Sequence, residues 1–194
     1  MVTREDIFTL LGAYLSRIQD VRLREQVVEV WVLACKEGGW DTVQEVLAMP
    51  FTLLTATHGI NFVEHTLAVT AGALGLAEAQ VRSYKALPYA INTDILIAGG
   101  LLHDVGKLLE AEKDGKGGFR KSRGGKLARH PISGSLLAAR VGLSDDVINT
   151  IACHAKEGEG APKRLETILI HQADFATFDP LVALAKGDLI QDVR

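Results

Sequence analysis

The most informative segment of the chain is residues 101–108, LLHDVGKL, in which His103 and Asp104 stand side by side in an apolar run. A buried imidazole or carboxylate costs free energy unless it is paired or binds a metal, so this pair needs a chemical partner. Lys107 follows Asp104 by three residues, and helical spacing puts its ammonium on the same side. A cation so placed lies near a metal without being a ligand, as the oxygens of a phosphate require. We therefore predict Asp104 and Lys107 as catalytic residues.

Further histidines and an aspartate stand at helical positions elsewhere in the chain. Neutral imidazoles and carboxylates suit Mn, Fe, Co, Ni or Zn, and a ligand set without cysteine points away from structural zinc. We therefore predict a site for one or two divalent transition-metal ions. The predicted metal ligands are His65, His103, Asp104, His130, His154 and Asp174.

Four of these residues carry a family resemblance. His65, the His103–Asp104 pair and Asp174 follow the pattern of the HD-domain metal-dependent phosphohydrolases. Residues 64–69, EHTLAV, resemble the segment around the first histidine of that family, and residues 102–107, LHDVGK, closely match its central motif. The resemblance extends over residues 60–178 and leaves the N-terminal residues outside it.

The resemblance implies a division of the ligands between two ions. One ion takes His65, His103, Asp104 and Asp174, whereas the other takes Asp104 and the two later histidines, His130 and His154. The presence of these two later histidines resembles the pattern of the dinuclear subgroup, which includes the HD-GYP phosphodiesterases and related nucleases. The four-residue set alone implies a single ion.

Two departures separate the chain from the GYP-type enzymes. Cys153 stands where these proteins have a second histidine beside His154, and Ala161 stands where they have tyrosine. Residues 64–66 and 170–174 are more similar to HD-type 3′–5′ exoribonucleases, although we expect no appended nucleic-acid-binding domain within these 194 residues. Hydrolysis of cyclic di-GMP is therefore not the expected activity.

Function follows from this resemblance and from the metal ligands. We expect a phosphodiesterase that acts on a nucleotide or a short oligonucleotide by metal-activated water. Two alternatives stay open: a mononuclear nucleotidase, which is a phosphomonoesterase, and a non-catalytic sensor module that binds metal and nucleotide.

A basic segment lies between two of the predicted ligands. Residues 113–129 contain five glycines and seven of the 21 Lys and Arg residues of the chain. Because glycine at this density disfavours a stable helix, we predict a mobile loop that contacts substrate phosphates. The candidates for this contact are Arg120, Lys121 and Arg123.

Helical periodicity dominates the remaining sequence, and no alternating strand pattern is visible. The predicted fold is all-α, a helical bundle of HD-domain type, with an HD-type domain over 51–194. Residues 1–50 form a short N-terminal helical extension that serves as a packing or dimerisation element. Single helices are predicted over 61–78, over 94–109 with the His-Asp pair inside it, over 131–141 and over 165–178.

Composition limits the partners and the compartment. A net charge of −3 gives no global attraction to nucleic acid or to an anionic membrane. Two cysteines make no disulfide framework, and the N-terminus does not resemble a signal peptide, so a cytoplasmic protein is expected. The apolar runs are too short for a membrane span. The expected partner is a phosphate-ester small molecule or a short oligonucleotide, and a homodimer is compatible with the N-terminal helices.

Overall fold

The computed structural model describes residues 1–191, most of which are helical, and it confirms the all-α fold class. Against the strand-free prediction, one small antiparallel sheet is present, made of β1 (Ala111–Lys113) and β2 (Phe119–Lys121). The helices are α1 (Arg4–Leu15), α2 (Val21–Gly38), α3 (Val43–Ala48), α4 (Phe62–Ser83), α5 (Thr93–Leu102), α6 (Lys107–Glu110), α7 (Arg123–Leu127), α8 (His130–Val141), α9 (Asp145–Cys153) and α10 (Leu165–Lys186).

Helix α5 lies at the centre of the fold because nearly all of its residues are apolar and buried. It contacts α1, α2, α4, α9 and α10. A methyl group on Gly99 would lie 2.5 Å from the Thr150 hydroxyl, and one on Gly100 would lie 2.8 Å from the Thr70 hydroxyl. The two glycines therefore let α4 and α9 approach the end of α5 at which His103 follows.

The N-terminal helices pack into the same core. Helix α2 contacts α5, α6 and α8, and both tryptophans of this region are buried. Trp31 donates its indole N–H to the Leu101 carbonyl at 2.9 Å, and Trp40 donates to the Leu108 carbonyl at 2.7 Å. Residues 1–50 thus support the chain on both sides of the His-Asp turn. The division at residue 50 stays a prediction.

The predicted single helix over 94–109 is wrong, because α5 ends at Leu102 and α6 begins at Lys107. The four residues between them form a tight turn. In this turn the Val105 N–H donates to the Leu102 backbone carbonyl, and the Lys107 N–H donates to the Asp104 backbone carbonyl. A side chain on Gly106 would lie 2.2 Å from the His130 carbonyl, so the start of α8 packs directly on this turn. Asp104 thus lies in a turn and not within α5 or α6.

The predicted mobile loop over 113–129 is also wrong in part, because this segment contains β2 and α7. Gly115 and Gly117 have positive φ values of 74° and 89°, which suit the hairpin turn. Asp114 stabilises this turn by accepting hydrogen bonds from the backbone N–H groups of Lys116 and Gly118. Glycine here permits a structured turn instead of preventing structure.

The longest helices are α4 and α10, with 22 residues each, and both extend beyond the predicted ranges. Helix α4 continues to Ser83, and α10 continues through Pro180 to Lys186 because the glycine that caps it is Gly187. Within residues 1–191, no helix combines the length and the apolar character needed to cross a membrane.

Replacing Trp31 with phenylalanine tests the link between α2 and the His-Asp turn. The change leaves the buried Leu101 carbonyl without its donor, so the free energy of unfolding is expected to fall by about 1–3 kcal/mol. Urea denaturation measures this change. As the control, Tyr84→Phe removes a hydroxyl from an exposed ring and is expected to change stability by less than about 0.5 kcal/mol. Equal effects of the two substitutions would contradict the structural role of Trp31.

Candidate metal centre

The Asp104 carboxylate lies at the centre of a buried group of imidazoles. Its Oδ2 atom is 3.4 Å from His65 Nε2 and 3.3 Å from His103 Nε2. Its Oδ1 atom is 3.2 Å from His130 Nε2 and 3.5 Å from His154 Nε2. Each oxygen of one carboxylate therefore faces a different pair of histidines.

The structure brings together all six residues that the sequence predicts as metal ligands. They come from different elements, and several stand at helix ends, where the backbone can turn toward a common point. They are His65 in α4, His103 at the C-terminal cap of α5, Asp104 in the turn that follows, His130 at the start of α8, His154 at the C-terminal cap of α9 and Asp174 in α10.

Ligand atoms of these residues form two clusters, within each of which all the atoms lie within 4.8 Å of one another. Asp104 belongs to both clusters. The first ligand group consists of His65, His103, Asp104 and Asp174, and the second ligand group consists of Asp104, His130 and His154.

Several ligand atoms have no hydrogen-bond partner within the described part of the chain. These buried atoms are Nε2 of His65, His103 and His154, together with Oδ1 of Asp104. Buried polar atoms normally have a hydrogen-bond partner. A cluster of buried polar atoms that face one another without such partners is typical of a ligand-binding site. Imidazole nitrogens and carboxylate oxygens fit a divalent transition-metal ion.

Backbone carbonyls hold two of the histidines in the tautomer that metal binding needs. His103 Nδ1 is 2.7 Å from the Gly100 carbonyl, and His154 Nδ1 is 2.8 Å from the Ile151 carbonyl. A carbonyl oxygen accepts a hydrogen bond but cannot donate one, so Nδ1 carries the hydrogen. The Nε2 lone pair of each ring is then free for a metal.

Glu110 holds His130 in the same tautomer, with the hydrogen on Nδ1. The sequence analysis did not identify this residue. Its Oε2 atom lies 2.8 Å from His130 Nδ1, and its Oε1 atom is ion-paired with Lys121 at 2.8 Å and with Arg129 at 3.0 Å. Burial disfavours the charged form, but contacts with His130 and Lys121 prevail and lower the pKa of Glu110 to about 2. The only sequence signal is a carboxylate that follows two leucines in an apolar run.

The aspartates of the site are ionised despite their burial. Burial opposes ionisation of Asp104, but Lys107 at 2.5 Å and the neighbouring imidazoles hold its pKa well below the usual range. Burial also opposes ionisation of Asp174, yet the contact with the His65 imidazole, 3.1 Å from Nε2 to Oδ1, lowers its pKa to about 2. These lowered pKa values favour the anionic form of both side chains at neutral pH.

A cleft of about 830 Å³ opens over the two ligand groups, with Lys107, His130 and Asp174 among its lining residues. Its size is within the range of small-molecule sites. Three of its aromatic lining residues, called the aromatic wall here, are Phe51, Phe175 and Phe178. Four of its cationic lining residues, called the basic wall, are Arg120, Lys121, Arg129 and Lys156.

The three predicted phosphate contacts do not lie together. Arg120 and Lys121 line the cleft, each paired with a carboxylate of the chain. Arg123 lines a separate, smaller depression beside Gly124 and Ser133. Sequence reasoning did not identify the aromatic wall or the cations Arg129 and Lys156 as parts of the site.

Comparisons with known proteins agree with this geometry. A family model described as HD domain matches residues 62–176. The Ribonuclease Y of Acidothermus cellulolyticus is 30% identical over 160 residues, which are 82% of this chain and 27% of that protein. The Ribonuclease Y of Thermotoga maritima is 31% identical over 118 residues, which are 61% of this chain and 18% of that protein. The Ribonuclease Y of Fervidobacterium nodosum is 28% identical over 149 residues, 72% of this chain and 24% of that protein.

The chain thus spans no more than 27% of the length of these three relatives. No solved structure gives a significant match. Since the family match covers more than half of the chain and contains the His-Asp turn with all six predicted ligands, the protein belongs to the HD-domain superfamily of metal-dependent phosphohydrolases.

Proposed function

We propose that the protein is a phosphodiesterase that cleaves a nucleotide or short oligonucleotide with two divalent ions. The observation that carries this proposal is the position of Asp104, whose two oxygens face the two ligand groups. A carboxylate so placed is suited to bridge two ions, an arrangement that supports in-line displacement at phosphorus.

The residues that would hold the ions are the two ligand groups defined above. Mn, Fe, Co, Ni and Zn all accept mixed imidazole and carboxylate ligands. When bound, such ions supply a water of lowered pKa and neutralise charge on the phosphate.

Residues of the chain supply positioning and charge. Asp104 is held in place by Lys107, whose ammonium also lines the cleft and can contact a non-bridging phosphate oxygen. Glu110 orients His130, and Phe51 stacks on the His65 ring with 4.2 Å between ring centroids. Because the ligands are buried, each of these electrostatic contacts acts with little screening by water.

The relatives favour a diester over a monoester as the substrate. All three relatives described above are named Ribonuclease Y, and cleavage of RNA is cleavage of a phosphodiester. The cationic residues of the basic wall are compatible with more than one phosphate. A mononuclear nucleotidase and a sensor module without turnover are the alternatives that the following experiments distinguish.

Replacing Asp104 with alanine tests the proposal directly. The substitution removes the carboxylate common to both ligand groups, so bound metal and activity should both be lost. Hydrolysis of bis-p-nitrophenyl phosphate and of p-nitrophenyl phosphate is measured with added Mn²⁺, and bound metal is measured by mass spectrometry. Wild-type protein should cleave the diester. Cleavage of the monoester alone would favour the nucleotidase, and metal binding without any turnover would favour the sensor module. Full activity of the variant would refute the scheme.

Replacing His154 with alanine separates two ions from one. The change removes one of three ligands from the second group and leaves the first group intact, so the metal content should fall from two ions per chain to one. Cleavage of the diester should fall with it, by at least about a hundredfold, because one ion cannot contact both the attacking and the leaving oxygens. The control is His58→Asn, at an exposed histidine in a turn. One ion per wild-type chain, unaffected by His154→Ala, would establish the mononuclear alternative.

Replacing Glu110 with glutamine tests its role behind His130. A neutral partner polarises the imidazole less, and removal of such a carboxylate typically weakens metal binding about 10–100-fold. Calorimetric titration of metal-free protein with Mn²⁺ should show this loss for one of two ions. Glu112→Gln is the matched control, since Glu112 is half-buried, lies outside both ligand groups and pairs with Arg120 across the hairpin. Equal affinities in the two variants would contradict the role given to Glu110.

A further inference from the structure

Most of the positive charge in the cleft is already neutralised by carboxylates of the chain itself. Lys156 is different: it is exposed, and no ion-pair partner for it lies within residues 1–191. Its ammonium is therefore available to an anionic group of a ligand. The neutralised pairs are Lys107–Asp104, Arg120–Glu112, Lys121–Glu110 and Arg129–Glu110.

The backbone that carries Lys156 is fixed. Lys156 opens a short 3-10 turn, Lys156–Gly158, which follows His154 after a single residue. A side chain on Gly158 would lie 2.4 Å from the Cys153 Cα atom, so the turn packs directly on the end of α9. Lys163 donates from Nζ to the Gly158 carbonyl at 2.5 Å and fastens its other end.

This turn belongs to the side of the cleft that holds the second ligand group. Glu157 pairs with Arg129 at 3.3 Å, and Arg129 pairs with Glu110, the carboxylate that orients His130. Lys156 therefore lines the cleft from a turn that follows His154, a residue of the second ligand group.

The aromatic wall contacts the first ligand group. Phe51 stacks on His65 at 4.2 Å between centroids, and Phe178 meets Phe51 edge-on at 6.2 Å with an interplanar angle of 87°. Phe178 is only half-buried, so part of its ring is available to a ligand. A planar, uncharged group that contacts the first ligand group would lie against these rings.

We infer that the cleft binds a segment of single-stranded nucleic acid of at least two nucleotides, with a nucleobase on the aromatic wall and a flanking phosphate at Lys156. The scissile diester then lies between them, over Asp104. This inference rests on the proposed function and adds to it a direction across the cleft. Stacking on aromatic rings and contact with a free cation are the two interactions by which proteins commonly hold single strands.

A crossed comparison of substrates and variants tests this inference. The substrates are a dinucleoside monophosphate, the same compound with a terminal phosphate, and abasic forms in which one base is replaced by hydrogen. For the wild-type protein, the terminal phosphate should lower KM about fivefold, as an exposed ion pair allows. A base should lower KM about tenfold, as stacking allows.

Each variant should lose one of these advantages and keep the other. Lys156→Gln should abolish the effect of the terminal phosphate while the effect of the base persists, and Lys156→Arg should restore it. Phe178→Leu, which keeps an apolar side chain, should reduce the effect of the base alone. Lys116→Gln, in the hairpin turn outside the cleft, is the control for loss of charge. The phosphate effect in wild type should also weaken as salt rises.

The outcomes distinguish this inference from the proposed function. Cleavage of bis-p-nitrophenyl phosphate together with equal KM values for all dinucleotides would keep the phosphodiesterase and overturn the inference. An effect of the terminal phosphate that survives in Lys156→Gln would also overturn it. If no diester is cleaved, the proposed function fails, and the same comparison is made with equilibrium dissociation constants. Loss of the phosphate preference in Lys156→Gln and of the base preference in Phe178→Leu would then support this mode of binding in the cleft without turnover.

Discussion

The site depends on a carboxylate that is kept charged although water is excluded from it. Asp104 is almost completely buried, and isolated burial would neutralise such a group. Lys107 and the surrounding imidazoles prevent this, and the same contacts fix the orientation in which each oxygen faces a different ligand group. Asp104 lies in the turn between α5 and α6, and the start of α8 packs directly on this turn at Gly106.

The fold uses one local device twice. His103 and His154 are both C-terminal caps of helices, and in both the Nδ1 atom lies against the carbonyl three residues earlier. The last carbonyls of a helix have no partner within the helix and carry its negative end, so they are good acceptors for an imidazole N–H. Each helix end thereby satisfies a carbonyl of its own and sets the tautomer of a ligand. His130 stands at the opposite kind of helix end, where no such carbonyl is available, and Glu110 takes its place.

Sequence could predict which residues come together because their chemistry is anomalous in an apolar context, as at His103 and Asp104, and because helical spacing limits where they can meet. It could also predict the all-α class, since periodicity reports which face of a helix is buried. It could not predict the turn after Leu102, which depends on a steric contact between residues distant in the sequence. The same holds for Glu110, whose role is defined only by the approach of His130, and for Lys156, whose significance is that other cations are already paired. Composition identified the basic segment but could not separate Arg123 from the residues that reach the cleft.

The two ligand groups are unequal, and this follows from their charges. The first contains Asp174 in addition to the shared Asp104, whereas the second has only the shared carboxylate and two imidazoles. A divalent ion is attracted more strongly by two carboxylates than by one, so under the proposed function the first group would be the stronger site. Glu110 would partly compensate, because a carboxylate behind a ligating imidazole raises its basicity. Since Glu110 also pairs with Lys121 and Arg129 of the basic wall, binding of an ion at the second group would be coupled through this side chain to the charge available to substrate.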